Sequence, residues 1–278
     1  MLKLLVIIFF LLLGFESIAK TVTFLKVDFA PYYIFEGVDK GKGRDEAIIN
    51  QLKQSLPEYK FKQIFIPSSR ALFELQHSKN TTCILSLYKT EQRKQLFYFS
   101  KQYSTIGLAP TIAMLSDVAE TIIPKGITTT SLKDLIFKNN LILGKSTERS
   151  YGQHVDKIIL NIPQDEIIIR AGKDSLQSLT YMLLKKRVDL IIGYPGEHLY
   201  LQSKLKKERQ FVQLQIAESP KTVSGFIGCN KSKESQVFLE KADISLRKIK
   251  TSPEYTALML RWVPESLQQN LANKLNNQ

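Results

Sequence analysis

Short apolar runs bounded by polar or turn residues alternate along this chain with longer stretches in which apolar residues recur every three or four positions. That is the pattern of strands alternating with amphipathic helices. Thr21 to Val27 reads as a first strand, and Arg44 to Leu56 as a helix with the stripe Ala47, Ile48, Ile49, Leu52 and Leu56, stopped by Pro57. Phe61 to Ile66 is a second strand, followed by a helix from Arg70 to Gln76 capped by Ser68 or Ser69. Cys83 to Leu87 is a short apolar run between Asn80-Thr81-Thr82 and Tyr88-Lys89-Thr90, which suits a buried strand. The run from Lys101 to Leu115 is long and strand-like, and a second alternation follows it. Strands are expected at Leu141–Gly144, Glu166–Arg170, Val188–Gly193 and Phe211–Ile216, with helices at Ser150–Leu160 and Asp174–Lys186 and a capping-box-like start at Ser131 and Asp134. A returning strand at Val223–Cys229, a long helix at Ser232–Lys250 and a helix begun by Pro253 and bearing Trp262 complete an α/β pattern.

Residues 1–19 stand apart from this pattern. Lys3, an apolar run from Leu4 to Leu13 and then Ser17-Ile18-Ala19 read as a secretory signal cut after Ala19. The run is too short for a membrane span, which needs about 20 residues. No cysteine sits near the cleavage point, so a lipid anchor is not expected and a periplasmic location is.

Composition changes this picture little. With 278 residues, 44% hydrophobic and 23% charged, the chain has room for one large domain or two lobes. The formal charge of +13 would suit nucleic acid, but the lysines are scattered and the densest run, Lys204 to Arg209, contains a glutamate. With a secretion signal, an anionic ligand or an acidic envelope surface is the better reading, and no nucleic-acid partner is expected. Cys83 and Cys229 are the only cysteines, which in an oxidising compartment suggests one bridge. His77, His154 and His198 are dispersed, so neither a metal nor another cofactor is assigned.

The chemistry centres on Cys83 to Ser100, CILSLYKTEQRKQLFYFS. The Cys83–Leu87 strand leads into a helical turn opened by Thr90, with Glu91 facing the positive helix end and Arg93 one turn in. At the C-terminal edge of a strand, where ligands gather in open α/β sheets, an arginine can fork two N–H bonds to a carboxylate. Arg70 starts a helix at the same edge and could add a second contact; for both arginines the competing reading is a solvated surface.

The sequence T-E-Q-R-K followed by F-Y-F-S and K-Q-Y resembles the corresponding segment of the family 3 extracellular solute-binding proteins. The resemblance covers residues 20 to 265 and implies a two-lobed type II periplasmic-binding-protein fold. Each lobe would be a mixed, mostly parallel sheet flanked by helices. Lobe 1 would comprise 20–105 and 221–278, lobe 2 106–220, with two hinge crossovers near 103–107 and 218–222. It implies that Arg93 holds a ligand carboxylate, that Ser86 and Tyr88 line the same site, and that Phe29 or Tyr32 of the Asp28–Tyr33 loop stacks on the ligand. Lys145, Arg149 and Ser150 occupy the lobe-2 loop that caps the ligand, Arg149 standing where many relatives have glycine. Two more departures matter: Arg44 replaces an aromatic between Gly43 and Asp45, and Tyr194 stands where the family has an amino-group-binding aspartate. Glu197, three residues on, would compensate if the turn carried it into the cleft.

In the resembling fold the strands of Cys83 and Cys229 are antiparallel neighbours, so a disulfide between them is implied. The function implied is capture of a small, anionic solute by a monomer, for an inner-membrane permease of an ABC importer. A sensory protein or a dehydratase-like enzyme on the same fold is the alternative, and an enzyme is not expected because no nucleophile–base pair or paired carboxylates appear.

Overall fold

The computed structural model describes residues 20–147, 149–172, 174–205 and 211–276. The expected signal segment and nearly all of the basic run Lys204–Arg209 lie outside the described residues. In chain order the first elements are β1 (Lys20–Lys26), α1 (Arg44–Ser55), β2 (Tyr59–Phe65), α2 (Ser68–His77), β3 (Thr82–Leu87), α3 (Glu91–Leu96) and β4 (Phe97–Leu108). Then come β5 (Thr111–Leu115), α4 (Ser116–Ile122), β6 (Thr129–Thr130), α5 (Leu132–Asn139), β7 (Leu143–Ser146), α6 (Gln153–Ile159), β8 (Ile167–Arg170), α7 (Ser175–Leu184), β9 (Leu190–Gly193), α8 (Pro195–Lys204) and β10 (Phe211–Ile216). The chain returns through β11 (Thr222–Asn230) and finishes with α9 (Lys233–Lys250), α10 (Pro253–Leu260) and α11 (Glu265–Asn276). Among the described residues, no helix is long and apolar enough to cross a membrane.

Two mixed sheets result. One has the order β2-β1-β3-β11-β4 and the other β6-β10-β5-β9-β7-β8. β1, β2 and β3 run parallel, while β11 lies antiparallel between β3 and β4. In the second sheet β7, β8 and β9 are parallel, and β5 runs against both β9 and β10. The single strand expected from Lys101 to Leu115 is in fact β4 and β5 in different sheets, split at Ala109-Pro110, because proline offers no N–H to continue a ladder. The chain crosses back at 217–221. Helices α4 and α8 carry no clear apolar period in the sequence and emerge only in three dimensions, whereas α11 repeats leucine at Leu267, Leu271 and Leu275.

Strand alternation gives each sheet two buried faces. Val22, Phe24, Cys83, Leu85 and Ile227 pack with Ile48, Leu52, Phe238 and Leu246 from α1 and α9, whereas Leu25, Ile84 and Leu87 pack with Ala71 and Leu75 of α2. Ile112 and Met114 face α5 and α6, and Ala113 and Leu115 face α7 and α8. Leu87 breaks the alternation. Three steps of β3, from Ile84 to Leu87, oppose two of β11, from Gly228 to Phe226, and Ser86 takes φ 58°. This bulge lifts Ser86 out of the ladder toward the edge of the sheet where the two lobes meet.

Cys229 pairs with Cys83 in the β11–β3 register, and the two are joined by a disulfide with Cα atoms 4.1 Å apart. The bridge closes a loop of 146 residues, so chain entropy alone predicts that Cys83→Ala/Cys229→Ala lowers unfolding free energy by about 3–5 kcal/mol. Urea unfolding of the oxidised protein against the double variant measures this, and a difference under about 1 kcal/mol would contradict it.

Candidate binding cleft

The loop after β1 builds one wall of the space between the lobes. Gly43 lets α1 begin directly against it: a Cβ there would sit 2.2 Å from the Tyr32 carbonyl oxygen. Asp45 N–H donates to that carbonyl at 3.0 Å. Buried Glu46 accepts from the Ile34 and Gly43 amides, both at 3.1 Å, and from Lys26 Nζ at 2.9 Å, which ties strand, loop and helix together. The loop therefore holds Phe29 and Tyr32 rigidly, their ring centroids 4.5 Å apart.

Arg44, the first residue of α1, points back under this loop. Its guanidinium stacks on Tyr32 at 3.9 Å, donates from Nε to Asp45 Oδ1 at 2.8 Å and reaches Ser86 Oγ at 3.4 Å from Nη2. The Ser86 hydroxyl also shares a hydrogen bond with Thr105 Oγ1 at 2.7 Å. Gly225 of β11 makes this bulge possible, since a Cβ there would lie 2.6 Å from Ser86 Cα.

The second lobe supplies the opposite wall. Tyr194, at the end of β9, meets Phe29 and Tyr32 edge-on at 5.6 and 6.5 Å. Its amide donates to Glu197 Oε2 at 3.0 Å, and Glu197 in turn takes both guanidinium nitrogens of Arg149 at 2.9 and 2.7 Å. Ser175 N–H, opening α7, donates to Asp28 Oδ2 at 2.9 Å, and Tyr200 of α8 stands edge-on to Trp262 at 5.6 Å. The lobes are thus in direct contact. Between them lies a small cavity of about 30 Å³ lined by Phe29, Tyr32, Arg44, Ser86, Tyr88 and Tyr194, with Thr105 and Gly225 behind. That is room for a few water molecules, so a solute enters only when the lobes part.

A model of the bacterial extracellular solute-binding proteins, family 3, matches residues 23–265. The chain belongs to that family. Solved structures with the same fold include a substrate-binding protein of an ABC uptake transporter from Streptococcus pneumoniae with bound histidine, at TM-score 0.64 and 14% identity over 87% of this chain and 91% of that one. A mutant of ArgBP from T. maritima gives 0.65 and 16% over 89% and 96%. A putative L-cystine ABC transporter protein from Listeria monocytogenes gives 0.65 and 18% over 89% and 97%. No curated protein matches the chain.

The family's expected site residues fall in three groups. Phe29, Tyr32, Ser86, Tyr88 and Tyr194 all line the cavity. Arg93 stands on α3 at its outer edge, where Nη1 donates to the Tyr88 carbonyl at 3.3 Å, and Thr90 Oγ1 caps the helix as expected. Arg149 lies beside the cavity in its ion pair with Glu197. Three expectations need correction. Arg70 is on the exposed face of α2, where Glu74, one turn on, takes its guanidinium in a surface pair. Ser150 spends its hydroxyl on Asp156 at the start of α6, and Lys145 is half-buried within β7, away from the cavity lining. Arg44 was visible in the sequence only as a departure from the family pattern. A buried arginine at a helix start, next to an aspartate, was the available sign of its role.

Burial sets the acid–base character here. Desolvation raises the Tyr88 hydroxyl to about 12 and Tyr194 well above its ordinary value, so both remain neutral donors. Asp28 is raised from 3.8 to about 6, chiefly by desolvation, with Arg149 opposing and Asp174 and Glu197 reinforcing. A carboxyl whose pKa is higher in the folded protein than in the unfolded chain binds a proton on folding. Its contribution to stability is full below about 3.8 and lost as pH rises through about 6. Asp28→Asn keeps an acceptor for Ser175 and removes the charge. It should stabilise the protein at pH 8 by about 1–2 kcal/mol, the advantage shrinking as pH falls from about 6 to about 4. Thermal unfolding of both proteins across that range checks the sign; a difference independent of pH would refute it.

Proposed function

We propose that this family 3 protein captures a small carboxylate-bearing solute of the amino-acid class in the interlobe cavity and delivers it to a membrane permease of an ABC importer. The observation that carries this reading is the lobe-1 wall, where buried Arg44 meets Ser86 and Thr105 beneath the rings of Phe29, Tyr32 and Tyr194. A guanidinium held rigidly by a neighbouring carboxylate and a ring face is already oriented for a bidentate anion contact, and its ordering cost is met before the ligand arrives. Arg93, bonded to the carbonyl of Tyr88, adds positive charge at the outer rim. Solved structures of this fold carry bound histidine, L-arginine and glutamine, which supports an amino-acid-sized solute.

The two lobes, one built on the sheet β2-β1-β3-β11-β4 and the other on β6-β10-β5-β9-β7-β8, act as rigid bodies that open and close about the crossovers. Solute stabilises the closed form because it touches both. The monomer works in the periplasm after cleavage behind Ala19, and the solute leaves unchanged.

A thermal-shift and calorimetry screen of amino acids, dicarboxylic acids and aromatic acids tests the reading, with binding in the micromolar range expected. Arg44→Lys keeps a cation for Asp45 but loses the fork, and should weaken binding by at least about tenfold. Arg93→Ala should weaken it less. Failure of every carboxylate to bind, or turnover of the bound solute, would overturn the proposal.

A further inference from the structure

A cation from lobe 2 is also buried at the cleft. Arg149 projects from the loop between β7 and α6, and its guanidinium is bonded through both terminal nitrogens to the two oxygens of Glu197, at 2.9 and 2.7 Å. Aromatic rings enclose it on other sides. The guanidinium carbon lies 4.8 Å from the Phe29 centroid, 5.7 Å from Tyr194 and 5.8 Å from Tyr151. The side chains of Arg149 and Glu197 are 12% and 2% exposed. A carboxylate floor beneath aromatic walls is the arrangement by which proteins recognise ammonium and guanidinium ligands.

Its position matters as much as its composition. Phe29 and Tyr194 line the 30 Å³ cavity, while Glu197 lines a second one of about 70 Å³ with Asp28 and Tyr200. Arg149 touches residues of both. It also joins the lobes: it is anchored on Glu197 of lobe 2 and packs on Phe29 of lobe 1. Contacting both lobes at once is what a solute does when it stabilises closure. An ion pair needed only to hold lobe 2 together would have no use for a ring from lobe 1.

We propose that Arg149 is a tethered occupant of a cation subsite, so that a solute cannot set an ammonium or guanidinium group of its own against Glu197. The inference rests on the cleft being the solute site. It makes Arg149 a specificity-determining residue, because Glu197 is already neutralised and its aromatic surround already filled. It also supplies part of the closing contact internally, so closure depends less on the ligand's cationic end.

The test uses methylguanidinium and L-arginine as probes. Arg149→Ala leaves Glu197 without its partner and opens the space between the two cavities. In calorimetry it should bind methylguanidinium at least about tenfold more tightly than wild type, with a matching thermal shift at millimolar probe. Arg149→Ala/Glu197→Gln should lose that gain. If Arg149→Ala does not fold alone, recovery of its circular dichroism with methylguanidinium chloride, but not with sodium chloride at the same concentration, counts in favour. A folded Arg149→Ala that binds the probes no better than wild type or than the double variant overturns the proposal, as does an unfolded one that the probe fails to recover. Wild type binding a solute in the screen while Arg149→Ala gains nothing would reject the tethered-cation inference alone. Wild type binding nothing would reject the solute reading.

Discussion

The cleft depends on one constraint: charge brought out of water where the lobes meet must be met by opposite charge or by dipoles already in place. Three of the buried ions obey it locally. Arg44 is paired with the next residue in sequence, Glu46 with a lysine and two amides, and Arg149 with both oxygens of Glu197. Among the described residues Asp28 has one amide donor and a guanidinium nearby, and its raised proton affinity records how incompletely it is compensated. Because three of these groups lie close to one another, the cleft is a single electrostatic unit, and a change at Arg149 is felt at Asp28, Tyr151 and Tyr194.

The aromatic residues answer the same constraint differently. Rings can approach a cation without forming a hydrogen bond and can slide as the lobes separate, so they let a dry contact form and break repeatedly. A cleft made only of fixed salt bridges would be harder to reopen.

Much of this was legible from the chain. Alternating apolar runs gave the α/β order, the segment around Arg93 gave the family, and the cysteine pair lies where the resemblance implied, in register across β3 and β11. What the sequence could not supply was direction. Arg70 and Arg44 both sit at helix starts, yet one points into water and the other under a tyrosine ring, since that choice belongs to the loop packed against each helix. The bulge at Ser86 was equally hidden, because alternation along β3 looks unbroken until the shorter path of β11 is laid beside it. Glu197 entered the cleft as the sequence allowed, but only the fold revealed that a neighbour had claimed it first.

The disulfide also sets an order in time. Its two cysteines lie 146 residues apart, and every strand of the second sheet is threaded between them. A chain that emerges N-terminus first presents Cys83 long before its partner strand exists. The second lobe, an unbroken stretch of sequence, has all it needs to form its own core while the first waits. The bond that staples lobe 1 can therefore act as a seal on a nearly finished molecule, closed only once the inserted lobe has been delivered in full.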